Sequence, residues 1–162
     1  MVALPYEDGG WLYKQVPYGG DLDFYHPDTD LSGWREGQAG FGSTNDVCFW
    51  NNPTHVHTQW ALGTDMLVRH QLEIPAKATN VRIAGTVDND ATIYVNGHEL
   101  PLAQSGNCAQ YAINVEVPEK YLDLKGDREE RALLAIRGHD IDTSPGDADY
   151  LDVTVTYEIS VK

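Results

Sequence analysis

A chain of 162 residues with a formal net charge of -14 is expected to fold as one domain, and its acidity sets it against nucleic-acid backbones and anionic membranes. With 41% hydrophobic and 10% aromatic residues it is too apolar to stay disordered, while 15 glycines and 8 prolines favour turns over long helices. No stretch approaches the roughly 20 apolar residues that span a bilayer, and the start MVALPYEDGG has neither a basic nor an apolar targeting region, so neither membrane insertion nor a signal peptide is expected.

Taken in chain order, residues 1–60 read as a largely irregular segment packed on, or extending from, the remainder of a single 1–162 domain. Its part from residue 18 onward is rich in Gly, Asp and Pro, and a long irregular segment within a compact domain is either functional or pinned by its own side chains. Trp34, Phe41, Phe49, Trp50 and Trp60 are the candidate pins. The run CFWNNPTHVHTQW brings Trp50, Asn51, Asn52, His55 and His57 together. An indole offers a platform for the apolar face of a sugar, and amides and imidazoles offer partners for its hydroxyls, so these five form a candidate glycan site. His55 and His57 would share a face of an extended segment, yet no spacing supplies the third ligand that a zinc or copper site needs. Cys48 and Cys108 lack CxxC spacing and are either a buried free pair or one disulfide. A bridge would close a loop of about 60 residues, stabilise by roughly 4 kcal/mol and imply a non-reducing setting.

From residue 66 the apolar period is two. In MLVRHQLEI, Met66, Val68, His70, Leu72 and Ile74 share one face and Leu67, Arg69, Gln71 and Glu73 the other, which predicts a half-buried strand. Further strands are predicted in NVRIAGTV and ATIYV, the latter ending at Asn96-Gly97, a strong hairpin turn signal. Between them Asp88, Asn89 and Asp90 read as the tip of a hairpin, where short Asx side chains satisfy turn N–H groups, with a ligand role as the alternative. QYAINVEV, a connection PEKYLDLKG with room for one helical turn, RALLAIRGH and the cleanly alternating YLDVTVTYEISV complete the chain. Short strands without a βαβ rhythm predict an all-β, antiparallel β-sandwich or jelly roll.

Three stretches carry a family likeness: DLSGWREGQAGFG (30–42), LVRHQLEIPAKATNVRIAGTVDNDATIYVNG (67–97), and LLAIRGHD with DYLDVTV (133–155). Together they resemble the galactose-binding-domain-like jelly rolls, as found in sugar-binding modules of β-galactosidase-type glycoside hydrolases and in phage virion and bacterial surface proteins. The resemblance implies a jelly roll that is non-catalytic, with Asp88, Asn89, Asn96 and Gly97 as structural turn residues. Some related jelly rolls hold calcium in acidic loops, but no such motif can be placed here residue by residue.

The residues themselves offer one oxygen-rich loop, HDIDTSPGDADY, whose Asp140, Asp142, Asp147 and Asp149 are candidate calcium ligands beside the plainer reading of a solvated acidic loop. No other cofactor is expected. Neither GxSxG, HExxH nor a phosphate-binding glycine loop occurs, and a non-enzymatic protein is expected. Two roles then compete. The first is a structural or decorating subunit of an extracellular assembly, most concretely a phage head or tail protein, with protein partners and a homo-oligomeric state. The alternative is a carbohydrate-binding accessory module that recognises surface glycans.

Overall fold

The structure, a computed structural model, describes residues 1–101, 103–104, 111–124, 129–140 and 147–160, with the side chains of 103, 104 and 129 left aside. The strands are β1 (Val2–Leu4), β2 (Trp11–Pro17), β3 (Arg35–Gly37), β4 (Phe41–Gly42), β5 (Thr58–Gln59), β6 (Thr64–Pro75), β7 (Ala78–Asp88), β8 (Asp90–Val95), β9 (His98–Glu99), β10 (Ala103–Gln104), β11 (Ile113–Glu116), β12 (Glu129–His139) and β13 (Tyr150–Ile159). A single helical turn, α1 (Glu119–Leu122), sits where PEKYLDLKG allowed one. No helix among the described residues is long and apolar enough to cross a membrane.

The strands form two sheets. One runs β11-β7-β13-β4-β5 with β1 added beside β13; the other runs β10-β8-β12-β6-β2-β3 with β9 beside β8. Every pairing is antiparallel except β4 with β5. The predicted alternation supplies the core between them. Met66, Val68, Leu72 and Ile74 from β6, with Leu134 and Ile136 from β12, face Ile83 and Val87 from β7 and Leu151, Val153 and Val155 from β13. Each large aliphatic side chain fully removed from water contributes about 1.5–3 kcal/mol. Gly85 lets β7 close on β13, because a Cβ there would run into the Asp152 carbonyl oxygen and Val153. The all-β antiparallel sandwich is as expected.

Several expectations are corrected. Within the segment 1–60 the sequence did not reveal β2, which pairs with β6 from Leu12↔Arg69 to Pro17↔Thr64; its polar Lys14 and Gln15 masked its alternation. Phe49 is not a pin, being 75% exposed, whereas Phe24 is buried and does pin its loop. His70 is half-buried, with its Nε2 3.1 Å from the Gly9 carbonyl and its ring edge-on to Trp11.

Asp88, Asn89 and Asp90 are not a hairpin tip. β7 and β8 belong to different sheets, and the chain changes sheet at Asn89, whose N–H donates to the His139 carbonyl (3.0 Å). Sequence alone shows two strands separated by one residue; only burial on both sides of the sandwich separates a crossover from a reversal. The true hairpin is the next one. Tyr94 pairs with Glu99 and Val95 with His98 around Asn96 (φ 48°) and Gly97 (φ 82°), the left-handed pair that a tight two-residue turn requires.

Each sheet also has a covered outer face. Residues 18–34 lie over the β6–β12 sheet, where Phe24 packs with Val16, Leu67 and Ala135. Residues 43–57 lie over the β7–β13 sheet, where Cys48, Trp50 and Val56 pack with Ala148 and Tyr150.

Candidate functional site

Strand alternation fixes where a site can form. With Leu151 and Val153 in the core, Tyr150 and Asp152 must point to the outer face of β13, beside Thr86 of β7, which pairs with Asp152. Loops roof this patch incompletely and leave a cleft of about 220 Å³. The β1–β2 loop supplies Tyr6 and Glu7, the β4–β5 loop supplies Phe49, Trp50 and His55, and Tyr111 closes the far side, its N–H donating to Thr86 Oγ1 (3.1 Å).

The walls are aromatic. Phe49 is 75%, Tyr111 69% and Tyr6 41% exposed, around one opening. Large exposed apolar rings are costly to hydrate, and three of them around a concavity with a polar floor are the composition of a ligand site. Trp50 packs tilted against Tyr150 (ring centroids 5.8 Å apart), and its buried indole N–H has no partner. Phe49 leans on His55 at 5.6 Å.

The floor is acidic. Asp152, 3% exposed, accepts from the Glu7 N–H through both carboxylate oxygens (3.0 and 3.3 Å). Burial pushes its carboxyl up to about 7 against the pull of that hydrogen bond, and the Glu7 charge adds to the rise. Burial and then the Asp152 charge also raise the Tyr6 and Tyr150 phenols. The Glu7 carboxylate is held by His57 Nε2 at 2.7 Å.

Of the five residues proposed for a glycan site, the structure brings Trp50 and His55 to the cleft. Asn51 is fully buried and structural: its amide donates to the carbonyls of Ser43 (2.9 Å) and Asp149 (2.8 Å). Asn52 shapes its own turn through Thr54 N–H and the Phe49 carbonyl. His57 does not line the cleft and braces Glu7 instead. Tyr6, Glu7, Tyr111 and Asp152 were missed. The alternation of β13 does assign Asp152 to the outer face, but nothing local in the sequence shows that a loop 145 positions away will cover it.

Behind the cleft lies a second group. Asp88, Asp140, Asp147 and Asp149 are all buried, not solvated as a surface loop would be. Both carboxylate oxygens of Asp149 and one each of Asp140 and Asp147 lack a hydrogen-bond partner, as does Asn51 Oδ1. Burial and then the neighbouring Asp140 charge push Asp149 up to about 8. Asp140 rises to about 7 through burial, resisted by the Gly63 N–H and reinforced by Asp147. Among the described residues no three or more His, Cys, Asp or Glu side chains are arranged to hold a metal ion. Asp142, the remaining candidate calcium ligand, lies outside the described residues, as does Cys108. Cys48 is buried with its Sγ 3.9 Å from Asp88 Oδ2. Asn89 donates through Nδ2 to Asp88 Oδ1 (2.8 Å), so Asp88 faces the buried group and not a ligand at a loop tip.

A larger hollow of about 320 Å³ runs along β2 and β3, lined by Tyr13, Lys14, Gln15, Gly33 and Arg35. It has one aromatic wall, and Lys14 is engaged by Asp21 at 3.1 Å, so the smaller cleft is the better site.

No family model and no curated protein sequence matches the chain. Solved structures do. The β-glucuronidase of an uncultured Clostridium species superposes with a TM-score of 0.56 at 16% identity, covering 94% of this chain and 29% of the enzyme. A β-glycosidase from Bacteroides vulgatus superposes at 0.51 and 13% identity, covering 100% of this chain and 24% of the enzyme. The chain shares an all-β, two-sheet antiparallel sandwich with part of each enzyme. The chain spans less than a third of the length of either enzyme, so this jelly roll corresponds to one part of each.

Proposed function

We propose that the chain is a carbohydrate-binding accessory module and that the cleft between the β1–β2 and β4–β5 loops holds the sugar. The observation that carries this reading is the convergence of three exposed aromatic rings, Tyr6, Phe49 and Tyr111, on an opening floored by Asp152 and Thr86. A pyranose presents an apolar face to such rings and hydroxyls to the polar floor. The similarity to parts of a β-glucuronidase and a β-glycosidase supports it, and the small share of each enzyme that is matched supports an accessory, non-catalytic role. The expectation of a phage virion subunit receives no such support, and the sugar-binding alternative takes its place.

The test is a glycan array with the purified chain, followed by titration calorimetry on the hits. Phe49→Ala with Tyr111→Ala should weaken binding at least about tenfold, the equivalent of 1.4 kcal/mol, with an unchanged circular dichroism spectrum. The chain should not hydrolyse aryl glycosides. A blank array, or binding indifferent to both substitutions, removes the reading.

A further inference from the structure

We infer that the cleft selects sugars bearing a free amine, binding them as ammonium ions, over neutral sugars and uronates. This rests on the reading that the cleft binds sugar and adds the chemical class.

Among the described residues two carboxylates, Glu7 and Asp152, line the cleft, and no lysine or arginine does. Carboxylates over the β6–β12 sheet are the contrast: Asp65 is met by Arg137 and Asp21 by Lys14. Asp152 is almost wholly buried; the Glu7 N–H lies within hydrogen-bond distance of both its carboxylate oxygens and the Val153 N–H also lowers its carboxyl, but neither is a counter-charge. Removing a carboxylate from water without a counter-charge is expensive, and the expense falls when a cation enters. Burial raises the Asp152 carboxyl to about 7, so protonation near neutral pH lessens that expense. An ammonium group can take over that role.

The walls favour the same ligand. Tyr6, Phe49, Trp50, Tyr111 and Tyr150 surround the opening, and aromatic faces carry negative potential that attracts cations, more strongly where water is excluded. Aromatic rings and carboxylates with no lysine or arginine among the described lining residues suit a positive group. A uronate would bring a third carboxylate against Glu7 and Asp152, so it is repelled. A neutral hexose gains stacking and hydrogen bonds but nothing from the two charges. A 2-amino-2-deoxyhexose gains both, and the ring keeps its apolar face for Phe49 and Tyr111.

The other titratable groups facing this site are few. His55 lines it, His57 is bound to Glu7, and Asp8 adds negative potential at Asp152. If either histidine is charged it lessens the negative field without cancelling both carboxylates.

The experiment uses the full chain and four probes: the β-1,4-linked tetramers of glucosamine, N-acetylglucosamine and glucose, and free glucuronate. At about pH 6, where amino sugars carry charge and a carboxyl near 7 is mostly protonated, the glucosamine tetramer should bind at least about tenfold tighter than the glucose tetramer. Its heat of binding should vary with the ionisation heat of the buffer, since Asp152 releases its proton, and that of the glucose tetramer should not. Asp152→Asn, and in case that variant folds poorly the half-exposed Glu7→Gln, should bring the two affinities within about threefold by weakening the glucosamine tetramer more than the glucose tetramer. Equal or tighter binding of the neutral tetramers or glucuronate overturns the ammonium preference and leaves the carbohydrate-binding reading standing. A preference for the glucosamine tetramer that survives both substitutions overturns the role of the carboxylates. If no probe binds but an array identifies other sugars, the inference fails alone; if nothing binds, both fail together.

Discussion

The two outer faces of this sandwich are both roofed by irregular loops, and they treat buried charge in opposite ways. Over the β6–β12 sheet, Asp65 is fully buried and accepts from Arg137 (2.7 Å), the Gly19 N–H (2.9 Å) and His139 Nδ1 (2.9 Å). Burial alone would raise its carboxyl, but those hydrogen bonds outweigh burial and hold it below the ordinary value. Arg69 donates to the Phe24 and His26 carbonyls, and Arg137 donates to the Asp21 carbonyl and lies 5.0 Å from the Phe24 ring centroid. The buried charges Asp65, Arg69 and Arg137 each have a partner in the segment 18–34, and so tie it to the sheet. Over the β7–β13 sheet, Asp140, Asp149 and Asp152 are equally buried and all three are pushed up to between about 7 and about 8. The first network is complete, whereas among the described residues no lysine or arginine is paired with the second set of carboxylates, and its burial is met by raised carboxyls instead.

Breaking the completed network should cost most. Asp65→Ala leaves Arg137 and His139 without their carboxylate, and removing one member of a buried pair costs about 3–5 kcal/mol. Urea unfolding should show that loss, with residues 18–34 becoming susceptible to protease. A loss under about 1 kcal/mol would mean that the apolar packing of Phe24 alone holds the loop.

The incomplete face predicts an unusual pH dependence. A carboxyl whose folded value is raised binds protons more readily in the folded than in the unfolded state. Its favourable contribution is therefore complete below the ordinary value of 3.8 and is lost as pH rises through the folded value, near 8 for Asp149 and near 7 for Asp140 and Asp152. Stability should fall between about pH 5 and pH 8, by on the order of 1 kcal/mol per pH unit for each group still titrating. Asp149→Asn should flatten that slope and raise the melting temperature at alkaline pH, because the amide removes a charge and adds a donor among unpartnered acceptors. Repeating the scan with calcium and with EDTA separates protons from metal: a slope indifferent to both assigns neutralisation to protons alone.

Much of the fold was legible because it is a matter of period. Met66 to Ile74 and Leu151 to Val155 alternate, and Asn96-Gly97 allows one tight turn. The sheet change at Asn89 was not legible, since one residue between two strands looks alike whether they pair or part. The site was half legible. Trp50 and His55 stand out by type, but Glu7 and Asp152 meet across 145 positions. Asn51 was misjudged for a similar reason, because a polar residue fit for a ligand is equally fit to satisfy the buried carbonyls of Ser43 and Asp149.

The smallest effect on stability is expected at the residues most important for binding. Phe49 is 75% and Tyr111 69% exposed, so truncating either to alanine removes little buried area, and melting should move by no more than about 0.5 kcal/mol equivalent. Trp50→Ala, by contrast, empties a 5%-exposed site against Cys48, Val56 and Tyr150 and should cost about 3–5 kcal/mol. Paired melting and binding curves for the three variants therefore separate the two uses of aromatic residues on this face. Phe49→Ala and Tyr111→Ala should lose ligand and keep stability, whereas Trp50→Ala should lose both. A Phe49→Ala variant that unfolds early would make that ring part of the loop's packing after all, and the cleft would lose its most exposed wall as evidence for a ligand.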